Sequence, residues 1–317
     1  MTLDTLAMIG PGATPPSDSS DQHPLRAALA FGDEVLARNQ SALEYLLLSQ
    51  DHSLVSESVV FQVQGMIASL ARDLIGTRIE RDGYAARLET QLIRQETIRR
   101  HCQALALEWR LTKQLQGVIG LDPVLAPLLQ QAISDSNTAI AGNAMAALAA
   151  QARFAQSQCR MELSPFELPA ELFHLVLLVA RDCTSATDAD SLRAEEARLR
   201  SKYDEGNSRL ALQAQLASQW GEPTAKHLDI QQSGLGLWLA ALSLRSGETR
   251  EQISLATVEP MLGRLLLTLR AAGARPHEAE TQVLLITGDA SLPRGLHEVG
   301  TREAAQWLAQ SRRTTLQ

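Results

Sequence analysis

Hydrophobic positions recur at steps of three and four along most of this chain, and no stretch sustains the strict alternation of a half-buried strand. The run 53–75 shows the pattern well. Val55, Val59, Val63, Met66, Ile67, Leu70 and Leu74 share one helical face, while Gln62, Gln64, Ser69 and Asp73 fall mostly elsewhere. A break is expected at Gly76 or, more strongly, at Gly83. Residues 84–116 then carry Tyr84, Leu88, Leu92, Ile98, Cys102, Leu105 and Trp109 at helical spacing with no proline, as one long helix or two joined ones. Only TQVLLITG, residues 281–288, could pass as a strand.

Punctuation is clearest over 120–154. Asp122 suits a cap and Pro123 a first helical position, where its missing N–H costs nothing. Leu125, Leu128, Leu129 and Ile133 form an inner face, and Asp135-Ser136-Asn137 interrupts it. A second, alanine-rich helix follows through Ile140, Ala144, Leu148 and Gln151. Two antiparallel helices of this kind look like one HEAT-type unit, although any helical hairpin can. LSLRSGETREQI (242–253) and LTLRAAGARPHEAE (267–280) repeat a helix end, a glycine turn and a fresh start. There Thr249 with Gln252 fits a capping box and Pro276 a first helical position, and Thr301 opens a third start. The expected fold is all-α and multi-helical, built of antiparallel helix pairs with partial solenoid character. Residues 1–24, rich in Pro, Gly, Ser and Asp, read as a mobile tail. RDCTSATDADS (181–191) marks a boundary between helical domains 25–182 and 188–317.

Composition narrows the function. Hydrophobic residues make up 45% and charged residues 21%, as in a globular protein, and aromatics only 4%. The net charge of −7 disfavours a phosphate-backbone partner. Cys102, Cys159 and Cys183 are widely spaced and odd in number, which fits buried thiols in a reducing cytoplasm rather than a disulfide framework. No basic n-region precedes an apolar run near the start, and the longest purely aliphatic run is far too short to cross a bilayer. Cytoplasmic localisation without a membrane partner is expected.

Candidate chemistry is sparse. Glu171 and His174 form one Glu-x-x-His pair, half of a carboxylate-bundle metal site, and no second pair exists to complete it. No metal or cofactor is therefore expected. Pro169, Glu171, Leu172, Phe173, Val176 and Val179 instead suit a capped helix start with an inward face, and His174 a position at the core edge. His101, in RRHCQ, could be a phosphoacceptor, but the residues after it favour a solvated helix face. A nucleophile elbow and a phosphate-binding glycine loop are both missing, and GLGLW (234–238) has too few glycines for a dinucleotide fingerprint. Segment 242–273 could be a DNA-reading helix-turn-helix through Arg245, Arg250, Arg264 and Arg270, but its second helix is mostly leucine.

LLQQAISDSNTAIAGNAMAALAAQARF followed by RMELSPFELPAELFHLVL resembles a bacterial family of unknown function with HEAT-like helices, found mainly in alphaproteobacteria. LTLRAAGARPHEAE is similar to its later helices, and the resemblance spans residues 40–310. It implies an all-α fold, no catalytic residues, and partners near signalling systems. The leading expectation is a non-enzymatic interaction protein or regulatory adaptor with another protein as partner. Self-association is left open. The alternatives are an enzyme or small-ligand bundle whose site is assembled from distant residues, and a DNA-binding regulator. The expected interaction face is the helix carrying Arg94, Arg99, Arg100 and Arg110 with Trp109, able to receive an acidic or phosphorylated partner. Against it stands a solvated face whose arginines pair with Glu89, Glu96 and Glu108.

Overall fold

The structure is a computed structural model, described over residues 23–48, 57–75, 83–184, 189–220, 225–288 and 291–315. Residues 1–22 of the expected tail and Val55 lie outside these residues, as do Gly76 and residues 185–188 of the expected boundary. Among the described residues there are fourteen α-helices and no strand: α1 Pro24–Leu48, α2 Glu57–Ile75, α3 Tyr84–Arg94, α4 Glu96–Ile119, α5 Pro127–Ile133, α6 Thr138–Cys159, α7 Ala170–Asp182, α8 Ala189–Lys202, α9 Arg209–Gln219, α10 Ile230–Ser246, α11 Arg250–Leu255, α12 Leu262–Ala271, α13 Pro276–Thr287 and α14 Thr301–Thr315. The candidate strand 281–288 belongs to α13 and its cap.

Local signals explain most boundaries. The proline-free stretch 84–116 is two helices, parted where Gln95 turns extended. Asn137 caps α6 by accepting from the Ala139 amide, Thr249 and Gln252 form the expected capping box, and Pro276 opens α13. One start differs. Asp122 accepts from the Val124 and Leu125 amides, yet this closes only a turn, and the helix waits for Pro127. The carboxylate satisfies two amides without enforcing helical geometry beyond them.

Three apolar clusters make the interior. The first gathers α2, α3, α7 and α8 with the C-terminal half of α1 and the N-terminal half of α4. The second gathers α10–α14 with the opposite halves of α1 and α4. The third lies among α5, α6, α9 and α10. α1 and α4 thus run through two clusters each. The cores also cross the boundary expected at 181–191. Leu192 and Leu199 pack with α2 and α7, while Leu111 and Leu115 pack with α10 and α12. The α5–α6 pair is real, but it packs on α9 and α10 rather than on a second copy of itself.

An ion network ties α1, α12 and α14. Arg264 is buried on α12 and donates to Asp33 of α1, to Ser311 of α14 (2.5 Å) and to Glu248. Arg312 of α14 also donates to Glu248, at 2.7 Å, and Ser311 bonds Asp33. Burial of this many charges is tolerable only because each finds several partners. The burial also reaches the second helix of the expected helix-turn-helix. α12 is buried along Leu262–Leu269.

Two glycines test the packing. A Cβ on Gly65 of α2 would lie 2.6 Å from the Met161 Cβ and 2.9 Å from its carbonyl oxygen, whereas one on Gly117 of α4 would meet nothing within 4 Å. Gly65→Ala should destabilise by about 1–3 kcal/mol through overpacking. Gly117→Ala should stabilise by up to about 1 kcal/mol through helix propensity. Urea unfolding of the two variants measures both signs.

Candidate functional site

One stripe of α4 carries His101, Ala104, Leu105, Glu108 and Thr112, at steps of three and four. Polar groups at three of these positions are buried. Glu108 lies between Leu107, in the first apolar cluster, and Leu111, in the second. Two arginines meet it there. Arg209 makes a bidentate contact, Nη1 to Oε1 at 2.5 Å and Nη2 to Oε2 at 3.1 Å. Arg250 Nη2 reaches Oε1 at 2.9 Å, and its Nη1 donates to the Gly236 carbonyl at 2.8 Å.

Each arginine is the first residue of a short capped helix. Ser208 caps α9 through the Ala211 amide, and the Arg209 amide donates to Glu167 at 2.9 Å. The Thr249 capping box fixes Arg250 at the start of α11. A helix N-terminus carries partial positive charge, so both cations stand at the unfavourable end of their dipoles. Glu108 offsets this. Burial alone pushes its carboxyl up, but the two guanidiniums outweigh burial and hold it at about 2. Burial lowers Arg250 to about 10, with Glu108 opposing that loss and Arg209 adding to it.

A polar layer extends behind the triad. The Arg209 guanidinium stacks 3.7 Å from the Phe154 ring centroid. Gln213 donates to Gln151 at 2.8 Å, and Gln151 donates to the Pro123 carbonyl at 2.9 Å. Gly236 permits this crowding, since a Cβ there would lie 2.5 Å from the Gln213 amide nitrogen. In front of the triad, the His101 Nδ1 stands 2.7 Å from Glu251 Oε1. His101 is 2% exposed and Glu251 34%.

Two concavities flank the triad and share Leu105 and Leu210. One, of about 270 Å³, is lined by His101, Glu108, Glu171, Arg250 and Glu251 over an apolar floor. The other, of about 370 Å³, is lined by Phe154, Phe166, Glu167, Lys202 and Arg209 among others. Residues from α4, α7, α9 and α11 thus converge on the first cleft, although more than a hundred positions separate some of them in sequence.

The residues expected from sequence are placed differently. Arg99 is 4% exposed, donating to the Ile93 carbonyl at 2.6 Å and pairing with Glu44 at 3.0 Å, so it is an internal anchor and not part of an exposed face. The physical reason is α1, which covers this side of α4. Arg94 is exposed, and Arg100 is half-buried beside Glu96 at 3.7 Å. Arg110 is half-buried and its guanidinium is shifted down by burial. Trp109 packs edge-on to Phe154 at 6.3 Å with Lys113 above it. These five residues therefore form no single exposed patch. His101 is likewise corrected, because α11 covers the face of α4 expected to be solvated.

Cys102 is buried, but Cys159 is exposed at the end of α6. On α7, Leu172, Phe173, Val176 and Val179 pack inward as expected, while His174 is exposed with Nδ1 3.5 Å from Arg200. No group of three or more His, Cys, Asp or Glu stands ready to hold a metal ion among the described residues. None of the described helices is long and apolar enough to cross a membrane.

Glu108→Ala leaves two guanidiniums without their shared carboxylate, and a loss of about 3–5 kcal/mol is expected from chemical denaturation. The acid dependence has a definite sign. The folded carboxyl sits at about 2 against an ordinary 4.5, so the stabilisation is complete above 4.5 and is lost as pH falls from there towards 2. The stability difference between wild type and Glu108→Gln, followed by urea titration, should shrink through that window. Arg99→Ala should cost about 2 kcal/mol by the same measurement, from its buried carbonyl contact alone.

No known protein family, curated protein or solved structure matches the chain.

Proposed function

We propose that the chain is a non-enzymatic regulatory binding protein, and that its ligand sits in the cleft between α4, α7, α9 and α11. One observation carries this reading. Titratable groups from three helices, His101 and Glu108, Glu171, Arg250 and Glu251, converge over an apolar floor of Ala104, Leu105, Pro169 and Leu210. A cleft with an apolar lining and a few converging polar groups is the usual form of a ligand site.

Glu108 is suited to anchoring rather than to proton transfer. A base must hold a pKa near the working pH, and Glu108 is held far below it by two guanidiniums. It serves to fix Arg209 and Arg250 in place. Rigid anchoring of the surrounding groups lowers the ordering cost of binding. Of the expectations from sequence, this reading takes up the small-ligand bundle whose site is assembled from distant residues, in place of an adaptor working through the arginine-bearing face of α3 and α4.

Leu210 is half-buried and lines both concavities. Leu210→Trp should fill the first cleft without removing a charged group. Affinity capture from the native cell, followed by identification of both small molecules and proteins, is the test. Material retained by wild type and lost from a folded Leu210→Trp supports the cleft. Equal retention by both proteins refutes it.

A further inference from the structure

We infer that the cleft takes one end of a linear aliphatic diamine or polyamine, whose other end lies in the adjoining concavity. The inference rests on the cleft being the working site. It names the ligand's chemistry and extends its path.

The two concavities meet at Leu105 and Leu210, which line both. Their shared middle is therefore apolar. Ala104 and Pro169 continue that surface in the first concavity, and Phe154, Leu163 and Phe166 continue it in the second. Each concavity also has carboxylates of its own. Glu171 and Glu251 line the first, and Glu162, Glu167 and Asp204 line the second. The path from one to the other runs from acidic through apolar to acidic.

Carboxylates at both ends are open to a ligand. Glu171 is exposed and Glu162 half-buried, and neither carboxylate has an ion-pair partner among the described residues. Glu251 is a third exposed and has one oxygen engaged by His101. Glu171 and Glu251 stand in the first turns of α7 and α11, where the helix dipole favours their ionised form. At the other end, burial pushes the Asp73 carboxyl up. Arg72 and Arg198 oppose that rise, and the charge of Glu162 adds to it. Glu162 thus stands in a like-charge repulsion that a bound cation relieves.

Protein cations do not fill this demand. Arg209 and Arg250 are committed to Glu108. Arg153 stands 4.0 Å from Glu167, which leaves Lys202 as the unpaired ammonium of the lining among the described residues. Charge complementarity calls for a cation at each end, and the leucines between call for hydrocarbon. A linear diamine supplies both, since alkyl amines, like the lysine amine, are protonated at neutral pH. A monoamine or a single lysine side chain serves one end only. A metal ion brings charge but no hydrocarbon for Leu105 and Leu210.

Isothermal titration of the full chain with cadaverine and spermidine is the test, run in physiological salt so that diffuse attraction to an acidic protein is screened. Saturable binding of both amines is expected. Pentylamine keeps the chain and loses one cation. Ethylenediamine keeps both cations on a chain too short to cover the leucines. Each should bind more weakly than cadaverine by about tenfold or more. Glu171→Gln and Glu162→Gln, one at each end, should each weaken cadaverine by about fivefold, the effect of one exposed ion pair, and leave the melting temperature nearly unchanged. Absence of saturable heat at millimolar cadaverine and spermidine overturns the inference, as does equal binding of pentylamine or ethylenediamine. Cadaverine binding untouched by Glu162→Gln also overturns it, because the ligand then does not reach the second concavity. Binding untouched by Leu210→Trp does the same, because the ligand then sits elsewhere. If cellular material is captured through the cleft while both amines fail to bind, the inference falls and the cleft reading stands.

Discussion

The contact between Glu108 and two arginines is the constraint on which the interior depends. Glu108 sits where the first apolar cluster hands over to the second along α4, and Arg209 brings in α9 from the third. A lone carboxylate at such a junction would be too costly to keep ionised. Two lone arginines at helix N-termini would be equally unwelcome. Together they cancel, and the geometry that lets them cancel also fixes how three groups of helices approach one another. Replacement by apolar residues of matching shape could be as stable. What the charges add is a demand for one arrangement, since few packings offer a carboxylate to both guanidiniums at once.

The same contact shapes the cleft. Arg250 is drawn inward by Glu108 and Gly236, so its Nε faces no protein acceptor. Glu251 is the next residue along α11 and is turned to His101. The polar groups lining the cleft are thus by-products of anchoring as much as an independent design. This ties binding to stability: any ligand held against Arg250 and Glu251 would also stiffen the junction beneath it.

Helix positions were legible because their signals are local. The Thr249–Gln252 pair, Pro276 and the Asp135–Asn137 break each act within a few residues, and the structure places helix ends at all three. The site was legible only in fragments. Glu108 appeared in the sequence as a partner for nearby arginines on its own helix, whereas its partners lie 101 and 142 residues away. His101 and Arg99 looked solvated because polar residues usually are. A sharper signal was available in the spacing of His101, Ala104, Leu105 and Glu108 on one stripe, where apolar neighbours imply that the polar members are covered too. Gly236 was a second clue, since its lack of a side chain is what lets Gln213 come so close. No local rule names the helix that does the covering.

The Arg264 network bears on how the chain matures. Asp33 and Ser311 stand 278 residues apart, and Arg264 joins both. During synthesis α1 leaves the ribosome early and can begin packing on α2–α4 at once. Its N-terminal half lacks most of its counterpart until α12 and α14 arrive much later. Through that interval Asp33 and the apolar residues Leu25 and Leu29 stay wet, held in a half-finished state that is prone to stray contacts. Arrival of α14 then closes the ring of charges in one step, so a slowed or truncated translation product should depend on chaperones far more than the finished protein does.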